Sequence, residues 1–132
     1  MIRCFGVCCP EATTIEPSST IAEKRVSIAD VRKFVIHESE RAAIPTGDRS
    51  FHLLVHKDLG CERVTQFLGV IQLSRAPFHY RTYEEAMLIL QGSGIVWVDD
   101  ENCEFGVGTS IYLPPGQRHC LENPGLEEVR LL

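Results

Sequence analysis

Short apolar stretches separated by turn residues follow one another along the second half of the chain. Each is bounded by Gly, Pro, Asp or Asn, the residues that favour turns. The sequences Gly92-Ser93-Gly94 and Asp99-Asp100-Glu101-Asn102 predict hairpin turns between neighbouring stretches. Short strands, frequent turns and the lack of a long helical pattern predict an all-β fold, either a sandwich or a barrel. The predicted strands cover residues 51–56, 64–73, 86–90, 95–98, 110–113 and 119–123.

The first part of the chain lacks this pattern. Residues 10–24 are polar and contain two prolines, which is typical of a linker or a loosely packed arm. Ser27 with Asp30 three residues later resembles a helix N-cap and predicts one or two helical turns as far as Arg32. We therefore expect an N-terminal arm or strand plus linker over residues 1–24, and a folded domain over 25–132.

The composition narrows the range of partners. A chain of 132 residues fits one domain. Its net charge of −5 argues against a nucleic-acid partner, and no apolar run approaches the ~20 residues of a membrane span. The apolar start of the chain, residues 1–9, is followed by Pro10 and Glu11 and is too short for a secretory signal. These features predict a cytoplasmic protein.

Six cysteines raise the question of a disulfide framework. Cys4, Cys8 and Cys9 crowd one end of the chain, and the other three stand singly within the β-rich part. This spacing favours reduced thiols that serve as small apolar side chains. A metal or redox site at Cys4, Cys8 and Cys9 is the alternative.

Two polar segments contain candidate chemistry. If residues 79–85 form a strand, His79, Arg81 and Glu85 share one face, because side chains alternate along a strand. A Pro-Pro-Gly turn in the second segment places His119 at the start of another strand. If these strands are neighbours, His79, Glu85 and His119 converge. Two imidazoles and one carboxylate form the facial triad that binds a divalent metal and leaves positions open for substrate.

The same segments resemble the cupin superfamily. The second follows the cupin pattern G-x5-P-x-G-x2-H-x3-N at Gly108, Pro114, Gly116, His119 and Asn123. The first resembles G-x5-H-x-H-x3-E-x6-G at His79, Glu85 and Gly92, but has Leu73 and Arg81 in place of a glycine and a histidine. The resemblance covers about residues 51–132. It implies a double-stranded β-helix, the cupin jelly-roll barrel.

By this resemblance His79, Glu85 and His119 are the remaining ligands of a divalent metal, Fe, Mn, Zn or Ni. The implied activity is that of a metal-dependent oxygenase or isomerase acting on a small anionic substrate. Arg81 cannot be a ligand, because a guanidinium stays protonated, but it can bind a substrate carboxylate or phosphate. In the alternative, Arg81 pairs with Glu84 or Glu85, and the domain is a metal-free module for small-molecule binding or oligomerisation.

Three further residues are predicted to contact substrate. Tyr83 and Met87 continue the odd-numbered face, and Gln66 lies in a predicted strand that in similar cupins faces the cavity. Core packing is the alternative for Tyr83 and Met87, and a surface position is the alternative for Gln66. Analogy with small cupins also implies a homodimer.

The two ends of the chain resemble each other. Residues 2–5, Ile-Arg-Cys-Phe, align with residues 129–132, Val-Arg-Leu-Leu. This similarity suggests the second half of a bicupin, with an N-terminal strand that covers a sheet edge of its own barrel or a partner's. A frayed tail is the alternative.

Overall fold

The computed structural model describes residues 27–132. The hypotheses about the N-terminal strand, the linker and Cys4, Cys8 and Cys9 fall outside these residues. A short helix, α1, spans Ile28–Arg32, which confirms the predicted helical turn. Two 3₁₀ turns follow at Glu38–Glu40 and Lys57–Leu59. Within residues 27–132, no helix has the length and apolar character needed to cross a membrane.

The remaining regular structure of the described residues is β, which confirms the all-β prediction. The strands form two antiparallel sheets, ordered β1-β2-β3-β10-β5-β8 and β4-β9-β6-β7. The strands are β1 Ala43–Thr46, β2 Arg49–Val55, β3 Gln66–Ile71, β4 Ser74–Arg75, β5 Glu85–Gln91, β6 Gly94–Val98, β7 Glu101–Phe105, β8 Ser110–Leu113, β9 His119–Asn123 and β10 Val129–Leu131.

The apolar core joins the two sheets. Ile89 of β5 and Val129 of β10 come from the larger sheet, and Val96 of β6 and Leu121 of β9 come from the smaller one. All four side chains are buried. Alternate positions of these strands point into the core, as expected of sheets with one buried face.

One predicted strand is wrong. The chain from Tyr80 to Glu84 is irregular, and β5 begins only at Glu85. His79 forms an isolated antiparallel bridge with His119 instead of belonging to a longer strand. The backbone explains the difference, because the carbonyl of Arg81 accepts a hydrogen bond of 2.7 Å from the amide of Gly116. This hydrogen bond joins the segment to the Pro-Pro-Gly turn and not to a strand ladder.

Three strands, β1, β4 and β7, were not predicted from the sequence. β1 is exposed along its whole length, β4 has only two residues, and β7 is exposed at four of its five residues. All three lie at sheet edges, and none of them shows a clear hydrophobic alternation. The second predicted turn is also shorter than expected, since only Asp99 and Asp100 form it.

Asn123, the last fixed position of the second segment, has a structural role. Its side chain is 2% exposed. The amide nitrogen donates to the carbonyls of Ile71 and Glu127, and the amide oxygen accepts from the backbone N–H of Gly125. Asn123 therefore ties the end of β3 to the loop before β10.

Candidate metal centre

His79, Glu85 and His119 meet at the ends of three chain segments. Each offers one ligand atom, and these atoms lie within 4.8 Å of one another. His119 opens β9 and is 3% exposed, Glu85 opens β5, and His79 is fixed by two backbone hydrogen bonds to His119, of 3.0 and 2.8 Å. The convergence expected from the sequence is present, although a loop and not a strand delivers His79.

Both imidazoles are oriented in the same way. Nδ1 of His79 lies 3.0 Å from the carbonyl oxygen of Pro77, and Nδ1 of His119 lies 2.9 Å from that of Gln117. Because a carbonyl only accepts, each Nδ1 carries the proton and donates it. In the neutral ring, Nε2 then has a free lone pair. Ligating histidines are commonly held by this arrangement in metalloproteins.

Glu85 lies between a cation and an imidazole. Its Oε1 is 3.6 Å from Nε of Arg81, and its Oε2 is 3.4 Å from Nε2 of His119. Oε2 is buried and has no hydrogen-bond partner. A buried carboxylate oxygen without a partner is costly, and coordination to a cation would offset this cost.

The surroundings of His79 favour a neutral ring. Burial lowers the pKa of His79 below its usual 6.5, and the nearby charges of His119 and Arg81 lower it further. The hydrogen bond to Pro77 and the charge of Glu85 oppose this shift. A neutral imidazole is the form that binds a metal.

The donor set fits a divalent transition metal. Two ligand atoms bound to one ion at 2.0–2.2 Å with tetrahedral angles are about 3.4 Å apart, and the Nε2–Oε2 separation of His119 and Glu85 is 3.4 Å. Two imidazoles and a carboxylate suit Fe, Mn, Zn or Ni, so the donor set does not select among them.

The three residues line a cavity of about 270 Å³. Its walls are mainly apolar, and Arg81 lies at this cavity with 42% of its side chain exposed. Met87 also lines it, as predicted, while being 7% exposed and part of the core. Met87 therefore belongs to the core and also lines the cavity, and its contact with substrate stays a prediction.

Gln66 and Tyr83 do not lie on this cavity. They line a neighbouring cleft, which shares Phe67, Glu85 and Met87 with the cavity. Tyr83 is 58% exposed, because it belongs to the irregular segment and not to the odd-numbered face of a strand. A contact of either residue with substrate stays a prediction.

Several other candidates have local roles. Glu84 accepts a hydrogen bond from the hydroxyl of Tyr112, which leaves Glu85 as the carboxylate at the centre. Trp97 donates its indole N–H to Glu122 and stacks under the guanidinium of Arg75, at 4.3 Å. His37, His52 and His56 hydrogen-bond to nearby backbone groups, as expected of histidines outside the site.

Sequence reasoning missed Arg49 and Thr46, which also line the cavity. Both lie at the hairpin between β1 and β2, where Thr46 stands opposite Arg49. The inward position of Arg49 follows from its spacing to Phe51, two residues along the same strand and also on the cavity. The sequence pattern predicted that this strand begins at Phe51, whereas β2 begins two residues earlier, at Arg49. Arg49 was therefore not assigned to the strand or to its inner face.

Residues 72–132 match the family model described as a cupin domain. This part of the chain is thus similar to a cupin domain. An uncharacterized protein of Methanocaldococcus jannaschii is 41% identical over 54 residues, which is 41% of this chain and 42% of that protein. The chain thus matches about two fifths of the length of this curated relative.

Solved structures share the fold of this chain. The polyketide cyclase RemF from Streptomyces resistomycificus superposes with a TM-score of 0.68 at 19% identity, over 74% of each chain. A predicted oxalate decarboxylase from Thermotoga maritima superposes with a TM-score of 0.66 at 17% identity, over 74% of this chain and 93% of that one. At these identities the likeness shows the jelly-roll fold alone, and it confirms the barrel predicted from the sequence.

Proposed function

We propose that this cupin domain binds a divalent transition metal through His79, Glu85 and His119 and acts on a small anionic molecule as a metal-dependent oxygenase or isomerase. One observation carries the proposal. Two imidazoles with their Nε2 lone pairs free, and a buried carboxylate oxygen without a partner, lie within 4.8 Å of one another at an apolar cavity. Among proteins of similar fold, RemF is a polyketide cyclase.

Each residue of the candidate site would have a role that follows from its chemistry. A bound metal would supply Lewis acidity at a position open to substrate. Glu85 and the two histidines would hold it, and the carbonyls of Pro77 and Gln117 fix the rings. The guanidinium of Arg81 would orient an anionic group of the substrate, and the apolar walls would exclude water.

Metal analysis of untagged protein tests the proposal. The parent should contain about one metal ion per chain, and His119→Ala should reduce the content to background. His52→Ala is the matched control, since it removes a histidine that binds the carbonyl of Arg41 outside the site. Full metal content in the His119 variant, or none in the parent, would contradict the proposal.

A metal-free binding module is the second candidate. Arg81 pairs with Glu85 at 3.6 Å and so supplies a positive charge where many cupins have a third ligand. If the parent contains no metal and does not take up Mn, Fe, Ni or Zn on titration, this function replaces the first. The predictions of a homodimer and of a cytoplasmic location belong equally to both candidates.

A further inference from the structure

The cavity has a second arginine, and its charge is not matched. Arg81 has Glu85 as an ionic partner at 3.6 Å. Arg49 is half-buried and lines the same cavity, yet among residues 27–132 it makes no ion pair and no side-chain hydrogen bond. A cation held against apolar walls without a counter-ion is costly, and an anionic ligand would offset that cost.

The strand register places Arg49 far from the metal centre. Phe51, Gly69, Leu131 and Ile89 lie side by side across the larger sheet. Arg49 is two residues from this row on one side, and Glu85 is four residues from it on the other. Six residues of extended strand correspond to about 20 Å along the sheet, so the two polar groups lie toward opposite ends of its inner face.

Apolar side chains fill the space between these ends. Phe51, Phe67, Met87 and Leu131 line the cavity together with Ile71, which stands directly opposite Arg49. Such a surface offers no partner to a polar middle section of a ligand. Thr46, opposite Arg49 on β1, adds a hydroxyl at the arginine end.

We infer that the cavity binds an elongated small molecule with an anionic group at each end and an apolar segment between them, and that Arg49 binds the end remote from His79, Glu85 and His119. The role of the near end rests on the proposed function. The role of Arg49 does not, since it depends only on the unmatched charge and its position. The volume of about 270 Å³ equals roughly nine waters at ~30 Å³ each, and this volume together with the separation of the two ends suits an extended dicarboxylate of about ten carbons.

Calorimetric titration with sebacate and decanoate tests this inference, because the two acids have the same carbon chain and differ by one carboxylate. The parent should bind sebacate about tenfold or more tightly than decanoate, as expected of one charge-assisted hydrogen-bonded pair. In Arg49→Gln the two acids should bind with similar affinity. Arg63→Gln is the matched control: it removes the same charge from an exposed loop outside this cavity and should keep the preference.

Measurements of folding and of metal content distinguish a misfolded variant, a failure of the proposed function and a failure of this inference. Thermal unfolding checks that each variant is folded, and Arg49→Lys, which keeps the charge but not the planar fork, should show an intermediate preference. A full sebacate preference in a folded Arg49→Gln, or no sebacate binding by the parent, would overturn the inference. If the parent holds no metal but its preference still depends on Arg49, the metal-based function fails and this inference stands.

Discussion

The two segments that form the candidate metal centre are built differently. From Gly108 to Asn123 the chain forms strand, turn and strand, and its candidate ligand His119 lies in a regular ladder with β6. From His79 to Glu84 the chain is irregular and depends on one bridge and on the hydrogen bond between Arg81 and Gly116. One segment is therefore held by its own secondary structure, and the other is held by the first.

This difference between the two segments agrees with the position at which the chain departs from the cupin pattern. A histidine within a ladder has a position fixed by backbone pairing on its strand. In the irregular segment, the contact with the turn is a hydrogen bond from the amide of Gly116 to the backbone carbonyl of residue 81. This bond does not depend on the side chain, so a different side chain can stand at position 81, as Arg81 does. The departure from the cupin pattern thus occurs in the segment with less regular structure.

The largest effect should follow from breaking the regular segment at Asn123. Asn123→Ala removes three hydrogen bonds from a buried position and should lower the free energy of unfolding by about 3 kcal/mol. Urea denaturation measures this. Asn102→Ala, on the exposed edge strand β7, should change stability by less than about 0.5 kcal/mol. Equal effects of the two substitutions would show that Asn123 does not tie β3 to the loop.

A smaller effect is expected when the histidine of the cupin pattern is introduced at position 81 of the irregular segment. Arg81→His removes the cation that pairs with Glu85 and adds a third imidazole, so metal affinity should rise about tenfold or more. Arg81→Gln is the control, because it removes the charge without adding a ligand and should give only part of the gain. Competition with a chromophoric chelator measures both. If Arg81→His binds the metal no more tightly than Arg81→Gln does, the side chain at position 81 does not reach the metal.

The smallest effect concerns the protonation of His79. NMR titration of the metal-free protein should give a pKa below 6.5, chiefly because the ring is partly buried, and Arg81→Gln should move it upward because one positive charge is lost. The unfolded chain then binds more protons than the folded one as the pH falls through 6.5, so this group makes the folded state less stable on acidification. A pKa at or above 6.5 in the parent would contradict the expected environment.

The sequence predicted the regular segment closely and the irregular one only in part. The bounds of β8 and β9 are those expected, since Gly, Pro and apolar alternation mark each end. His79 and Glu85 reach the centre as predicted, but Tyr83 does not face it, because alternation along a strand says nothing about a loop. Arg49 was missed because β2 begins with the polar residues Arg49 and Ser50, and the pairing of Arg49 with the buried Ile71 of β3 places it on the inner face.

The anchoring of both rings to carbonyls two residues earlier has a consequence for position 81. Each imidazole takes its orientation from its own short stretch of chain, at Pro77 and at Gln117, and not from residue 81. An exchange between arginine and histidine at position 81 should therefore change the charge and the donor set of the candidate site while both remaining rings keep their orientation.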